Sequence, residues 1–140
     1  MENKTPAQLF ALVVGATLVA AGILGFFYSA AFGSPGETDE VLGLLAVNGW
    51  HNLVHIATGG LLLSGIGTPA AARRIVLVFG VAYALVVVLG LIVGDGGNIL
   101  GIIPINTEDN ILHVLLALGA FGAYAASGDR GTATTARPAA

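Results

Sequence analysis

Two strings carry the chemistry this chain can offer. Asn48-Gly49-Trp50-His51-Asn52-Leu53-Val54-His55 recurs as Asn106-Thr107-Glu108-Asp109-Asn110-Ile111-Leu112-His113. Both have an Asn, a His or Asp three residues on, a second Asn beside it, and a His three residues beyond that. The i, i+4 spacing places His51 with His55, and Asp109 with His113, on one face of a helix. Three imidazoles and a carboxylate can bind a divalent metal, of which imidazole suits Zn, Cu, Fe or Ni. The same groups can also hydrogen-bond across a helix pair or pass protons. The chain has no cysteine, which removes disulfides, thiolate metal sites, iron–sulfur clusters and covalent haem attachment. It also has no phosphate loop, nucleophile–base pair or dinucleotide fingerprint, so nothing in it points to an enzyme.

The elements that must position these residues follow from composition. Of 140 residues, 56% are apolar and 9% charged, with a mean hydropathy of +0.89. A charged fraction so far below the ~25% of soluble domains cannot make a water-facing surface. Five Lys plus Arg against eight Asp plus Glu exclude a nucleic-acid binder, which needs a phosphate-tracking basic patch. Four apolar stretches are long enough to cross a bilayer: about Leu9–Phe27, Asn48–Ile66, Ile75–Val93 and Asn106–Ala126. The expected fold is an all-α membrane protein, a bundle of four transmembrane helices in residues 1–127. Residues 128–140, rich in Ala, Thr, Gly and Pro, are expected to be a disordered cytoplasmic tail.

The bundle reads as two tandem hairpins, about 6–66 and 75–127. Gly43-Leu44-Leu45-Ala46-Val47-Asn48 aligns without a gap on Gly101-Ile102-Ile103-Pro104-Ile105-Asn106 at an offset of 58, and Gly15 and Gly25 recur as Gly80 and Gly90 at an offset of 65. Each unit holds two spans, so a pseudo-two-fold axis along the membrane normal is expected. The repeat also argues that the first span is retained and is not a signal peptide, although Ser29-Ala30-Ala31 could pass for a cleavage site. Lys4, Arg73, Arg74, Arg130 and Arg137 all fall on one side of a four-span topology, while Glu37, Asp39, Glu40, Asp95, Glu108 and Asp109 fall on the other. The positive-inside rule then places both termini in the cytoplasm and the polar strings at the outer face of the plasma membrane.

Asn48 and Asn106 are expected to cap their helices, with Asp109 and Glu108 completing a capping box and a favourable first turn in the second copy. Trp50 suits an interfacial anchor. Capping does not explain Asn52, His55, Asn110 and His113, which lie deeper. The leading reading is a buried Asn/His/Asp network joining spans two and four in a structural or interaction role. The alternative is a divalent-metal site made by His51, His55, Asp109 and His113. A haem b between His55 and His113 ranks below it because the bundle is small. A proton or small-solute relay ranks third, because below Thr58 the helices offer only Gly, Ala and aliphatics. The lipid bilayer is the one assured partner. Small-residue faces, among them Gly60, Gly119 and Gly122, could serve a homo-oligomer or a membrane partner.

Thr5-Pro6-Ala7-Gln8-Leu9-Phe10-Ala11-Leu12-Val13-Val14-Gly15, together with the two polar strings, resembles the bacterial membrane family catalogued as domain of unknown function 4383, common in actinobacteria. The likeness covers nearly the whole chain outside the C-terminal tail. It implies a small four-span membrane protein with no assigned activity.

Overall fold

Threonine and proline open the first helix. Thr5 caps it and Pro6 supplies a preset helical φ, while the Gln8 side chain returns to the Thr5 backbone to complete a capping box. In the computed structural model, which describes residues 4–128, the order is α1 (Pro6–Gly25), β1 (Asp39–Val41), β2 (Leu45–Val47), α2 (Gly49–Ser64), α3 (Pro69–Val93), β3 (Asn98–Ile99), β4 (Ile103–Pro104) and α4 (Thr107–Ala126). The tail expected at 128–140 lies outside the described residues except for Gly128.

The fold is helical, and α1, α3 and α4 are each long and apolar enough to cross a membrane. At 16 residues α2 is the shortest helix. The third helix begins six residues before the expected Ile75, because Thr68-Pro69 is a cap followed by a proline at the first helical turn and not merely a stop for α2. Arg73 and Arg74 therefore belong to α3 itself. Two short antiparallel hairpins, β1–β2 and β3–β4, are additions to the all-α expectation. They lead into α2 and α4.

Helix α1 packs chiefly on α2, and α3 on α4. Small residues allow this. A Cβ added at Gly59 would lie 2.6 Å from the Gly15 carbonyl, and one at Gly15 would lie 2.9 Å from that of Gly59, so the two backbones are in contact. Farther along, a Cβ at Gly25 would strike the Asn52 amide, and one at Gly90 would strike the Asn110 amide. The core between the pairs contains Leu18, Leu62, Val76, Phe79, Tyr83 and Ala117. The outward faces carry exposed Val13, Leu24, Val78, Leu91 and Leu118, a surface suited to lipid and not to water.

Away from the hairpins, Gln8 Nε2 donates to the Ile66 carbonyl at 3.0 Å, and Arg73 Nε donates to the Tyr124 carbonyl at 3.3 Å. Arg73 also stacks its guanidinium 4.0 Å from the centre of the Tyr124 ring. Gln8 and Arg73 are separated by the repeat offset of 65, and Ile66 and Tyr124 by 58. The two closures occupy matching positions.

Candidate functional site

The polar strings lie where the β-hairpins meet α2 and α4. Asn48 Oδ1 accepts from the His51 backbone N–H at 2.9 Å, and Asn106 Oδ1 accepts from that of Asp109 at 2.9 Å. Both capping expectations hold. Each amide also uses its other end: Asn48 Nδ2 donates to the Ile102 carbonyl and Asn106 Nδ2 to the Leu44 carbonyl, both at 2.7 Å. Leu44 and Ile102 are themselves 58 residues apart, so each cap grips the opposite hairpin in a reciprocal exchange. Asp109 Oδ2 accepts from the Asn106 backbone N–H at 3.2 Å and from the Ala46 N–H at 3.0 Å, adding a third tie between the halves.

Deeper, Asn52 Nδ2 donates to the Ser29 carbonyl at 2.9 Å and so holds the chain leaving α1. Asn110 packs against Gly90, and its Oδ1 is buried without a hydrogen-bond partner. Trp50 sets its ring edge-on to Phe32 with centroids 5.0 Å apart, and its Nε1 is buried and unpaired. It is packed beneath the β1 approach as well as placed near the helix start.

The histidines are arranged differently. His51 Nε2 lies 3.1 Å from His55 Nε2 on the same helix, with ring centroids 4.5 Å apart. The His113 ring centroid is 6.2 Å from that of His51, and one ligating atom from each of His51, His55 and His113 lies within 4.8 Å of the others. His51 is 3% exposed and His113 6%, and Nδ1 of each is buried without a partner. Among the described residues, no histidine hydrogen-bonds another helix. Asn48, Asn106 and Asp109 thus tie the halves together here, while the three imidazoles converge on one another. Asp109 is adjacent but is not part of the convergent trio.

Ligands bound to one tetrahedral zinc at ~2.0–2.1 Å stand roughly 3.3 Å apart. The His51–His55 pair is already near that separation. Two nitrogens at 3.1 Å can share one proton in a hydrogen bond or direct both lone pairs at an ion. On one side His113 meets the edge of Tyr83, with centroids 5.3 Å apart, and Tyr83 stacks on Phe79 at 4.1 Å. Tyr83 Oη lies 3.3 Å from Thr58 Oγ1. On the other side is a cavity of about 410 Å³ between α1, α2 and α4, with all three histidines and Asp109 in its wall. A smaller cavity of about 200 Å³ flanks the same histidines between α2, α3 and α4. Sequence spacing identified the imidazoles, but neither cavity had a signal in it.

The family described as "Domain of unknown function (DUF4383)" matches residues 8–126. No curated protein and no solved structure matches the chain.

Proposed function

Because the chain belongs to the DUF4383 family, whose activity is unassigned, we propose a function from its own geometry: a membrane protein that coordinates a divalent transition metal through His51, His55 and His113. The observation that carries this reading is the convergence of three ligating nitrogens within 4.8 Å from side chains that, among the described residues, hydrogen-bond no other helix. The absence of sulfur gives no preference for a soft ion, and imidazole favours Zn, Cu, Fe or Ni. Three protein ligands leave a fourth position open, as in catalytic sites and unlike closed structural ones. The three histidines line the larger cavity as well as the smaller. A structural network is supported for Asn48, Asn106 and Asp109, which make the ties between halves. A haem b between His55 and His113 has less support, because the His51 ring, with centroids 4.5 Å from His55 and 6.2 Å from His113, crowds the pair. A relay is disfavoured by the apolar core of Leu62, Val76, Phe79 and Ala117 beyond Thr58 and Tyr83.

The same reading includes a four-span architecture of two tandem hairpins in the plasma membrane, termini inside, with the histidines at the outer face. Its support is the matched pairs at offsets of 65 and 58 and the segregation of basic from acidic residues. Exposed Gly60 and Gly122 meet no neighbour and offer a close-approach surface to a second copy.

The test is elemental analysis of protein purified in mild detergent without a polyhistidine tag, before and after exposure to each metal. The expected result is about one ion per chain, with the metal lost in His55→Gln and His113→Gln and kept in Asp109→Asn, whose carboxylate is engaged elsewhere. A chain that takes up no ion, or His→Gln variants that retain it, would reject the site.

A further inference from the structure

The two cavities beside the histidines occupy matching places in the two halves. Leu18, Ala21 and Val41 line the larger one, and their counterparts at offsets of 65, 65 and 58 are Tyr83, Val86 and Ile99, which line the smaller. At these three positions the second copy has the bulkier side chain, although Ala82 stands where the first copy has Thr17. One cavity is accordingly about 200 Å³ and the other about 410 Å³. Filling an apolar cleft with side chains is favourable by default, since each contact made gains dispersion energy. The half built from Tyr83 shows that this fold accommodates the filling.

We propose that the larger cavity is a binding site for a neutral lipophilic molecule carrying one carbonyl head, its chain lying along Leu18, Ala21 and Leu116 and its head at His51 and His113. The walls are hydrocarbon apart from Thr17 and one polar end, where the histidines, Asn52 and Asp109 cluster, the pattern of a ligand pocket with a few convergent polar groups. At that end His51 and His113, each more than nine-tenths buried, line the cavity together with Asp109. Among the described residues no Lys or Arg lines the cavity, so an anionic head would find no countercharge there and would face Asp109. A cationic head would find the Asp109 carboxylate, whose Oδ2 accepts two N–H groups, but would bear the much larger cost of carrying a charge into an apolar cavity. A carbonyl accepts a hydrogen bond from the N–H of a neutral imidazole and needs no countercharge. Thr17, Ala21, Leu24 and Leu112 line the cavity while remaining exposed, so its mouth opens between α1 and α4 on the apolar outer surface, where a molecule dissolved in the bilayer arrives. The site rests on the cavity and not on the metal reading. With an ion bound, the carbonyl would take the open coordination position, and without one it accepts from an imidazole N–H.

The test uses the full chain in detergent and three isotopically labelled probes in equilibrium dialysis: 2-tridecanone, dodecanoate and tridecane. The expected result is saturable binding of the ketone, at least about tenfold tighter than the acid or the alkane. Leu18→Tyr with Ala21→Val, which installs the residues of the filled half, is expected to weaken ketone binding at least about tenfold while the thermal midpoint is kept or raised. If that pair fails to fold, Ala21→Leu at the exposed mouth is expected to weaken binding in the same direction. Absence of saturable ketone binding, equal binding of tridecane or dodecanoate, or unchanged binding in a folded filled variant would each overturn the proposal. Metal content is measured on the same samples. Ketone binding by metal-free protein keeps this site if the metal reading fails, and metal retained in a filled variant that no longer binds ketone separates the two sites.

Discussion

Asn48 divides one amide between two jobs, and an Asp in its place would separate them. Its Oδ1 caps α2 and its Nδ2 grips the Ile102 carbonyl. At an ordinary N-cap, Asp is as good as Asn. Here Asn48→Asp would keep the cap but lose the donor and turn a carboxylate oxygen toward a buried carbonyl. It is expected to cost about 1–3 kcal/mol, close to Asn48→Ala, measured as the loss of thermal stability in detergent. A variant as stable as the parent would show that the cross-hairpin bond contributes nothing. Capping was legible in the sequence because it is local: an Asn precedes each helix, with Asp109 three residues after Asn106. The other half of each amide was not legible, because its partner lies 54 or 62 residues away. The same limit changed the role of Asp109. Spacing placed it with the imidazoles, but the Ala46 N–H, which no local pattern reveals, engages its oxygen.

At the scale of elements, the two β-hairpins were the feature least visible beforehand. Val41 to Leu45 and Ile99 to Ile103 read as apolar lead-ins to the helices, since neither contains the Asn-Gly or Asp-Gly pair that announces a tight turn. In the structure, Leu42 and Gly43 have φ of 56° and 67°, and Leu100 and Gly101 have 54° and 74°. Both turns need two successive left-handed residues. Glycine adopts that conformation freely, but leucine does so against its Cβ. Leu42 and Leu100 are 78% and 80% exposed, so they gain no core packing in return. Asn tolerates this region better than other side chains. Leu42→Asn is therefore expected to stabilise the chain by about 1 kcal/mol, with Leu100→Asn acting alike. Thermal midpoints in detergent decide it, and a fall in both would show that the leucines make stabilising contacts with the micelle or the bilayer.

For the whole molecule, the decisive question is whether α2 crosses the membrane with its neighbours. Its 16 residues span only about 24 Å as a helix, less than the ~30 Å hydrocarbon core. The proposed architecture requires that it cross, and its contacts follow a helix that is long enough to do so. Asn52, near its start, abuts Gly25 at the end of α1, Gly59 meets Gly15 midway, and the Ile66 carbonyl just past its end receives Gln8 near the start of α1. Helix α2 thus runs antiparallel to nearly the whole of an apolar helix that is itself long enough to span. The 3.0 Å bond from Gln8 and the 2.9 Å bond from Asn52 to Ser29 fix it at both ends. The charges agree with four crossings: Lys4, Arg73 and Arg74 fall on one side, and the acidic loops containing Glu37 and Asp95 on the other. Reporter fusions after Glu37 and after Asp95 are then expected outside, and fusions at Arg73 and after Gly128 in the cytoplasm. If α2 did not cross, three spans would carry the C-terminus to the side opposite the N-terminus. An exported reporter after Gly128 beside a cytoplasmic N-terminus would therefore reject both the fourth span and the two-hairpin architecture. The three histidines would then lose their placement beneath the outer face, although their mutual geometry would stand.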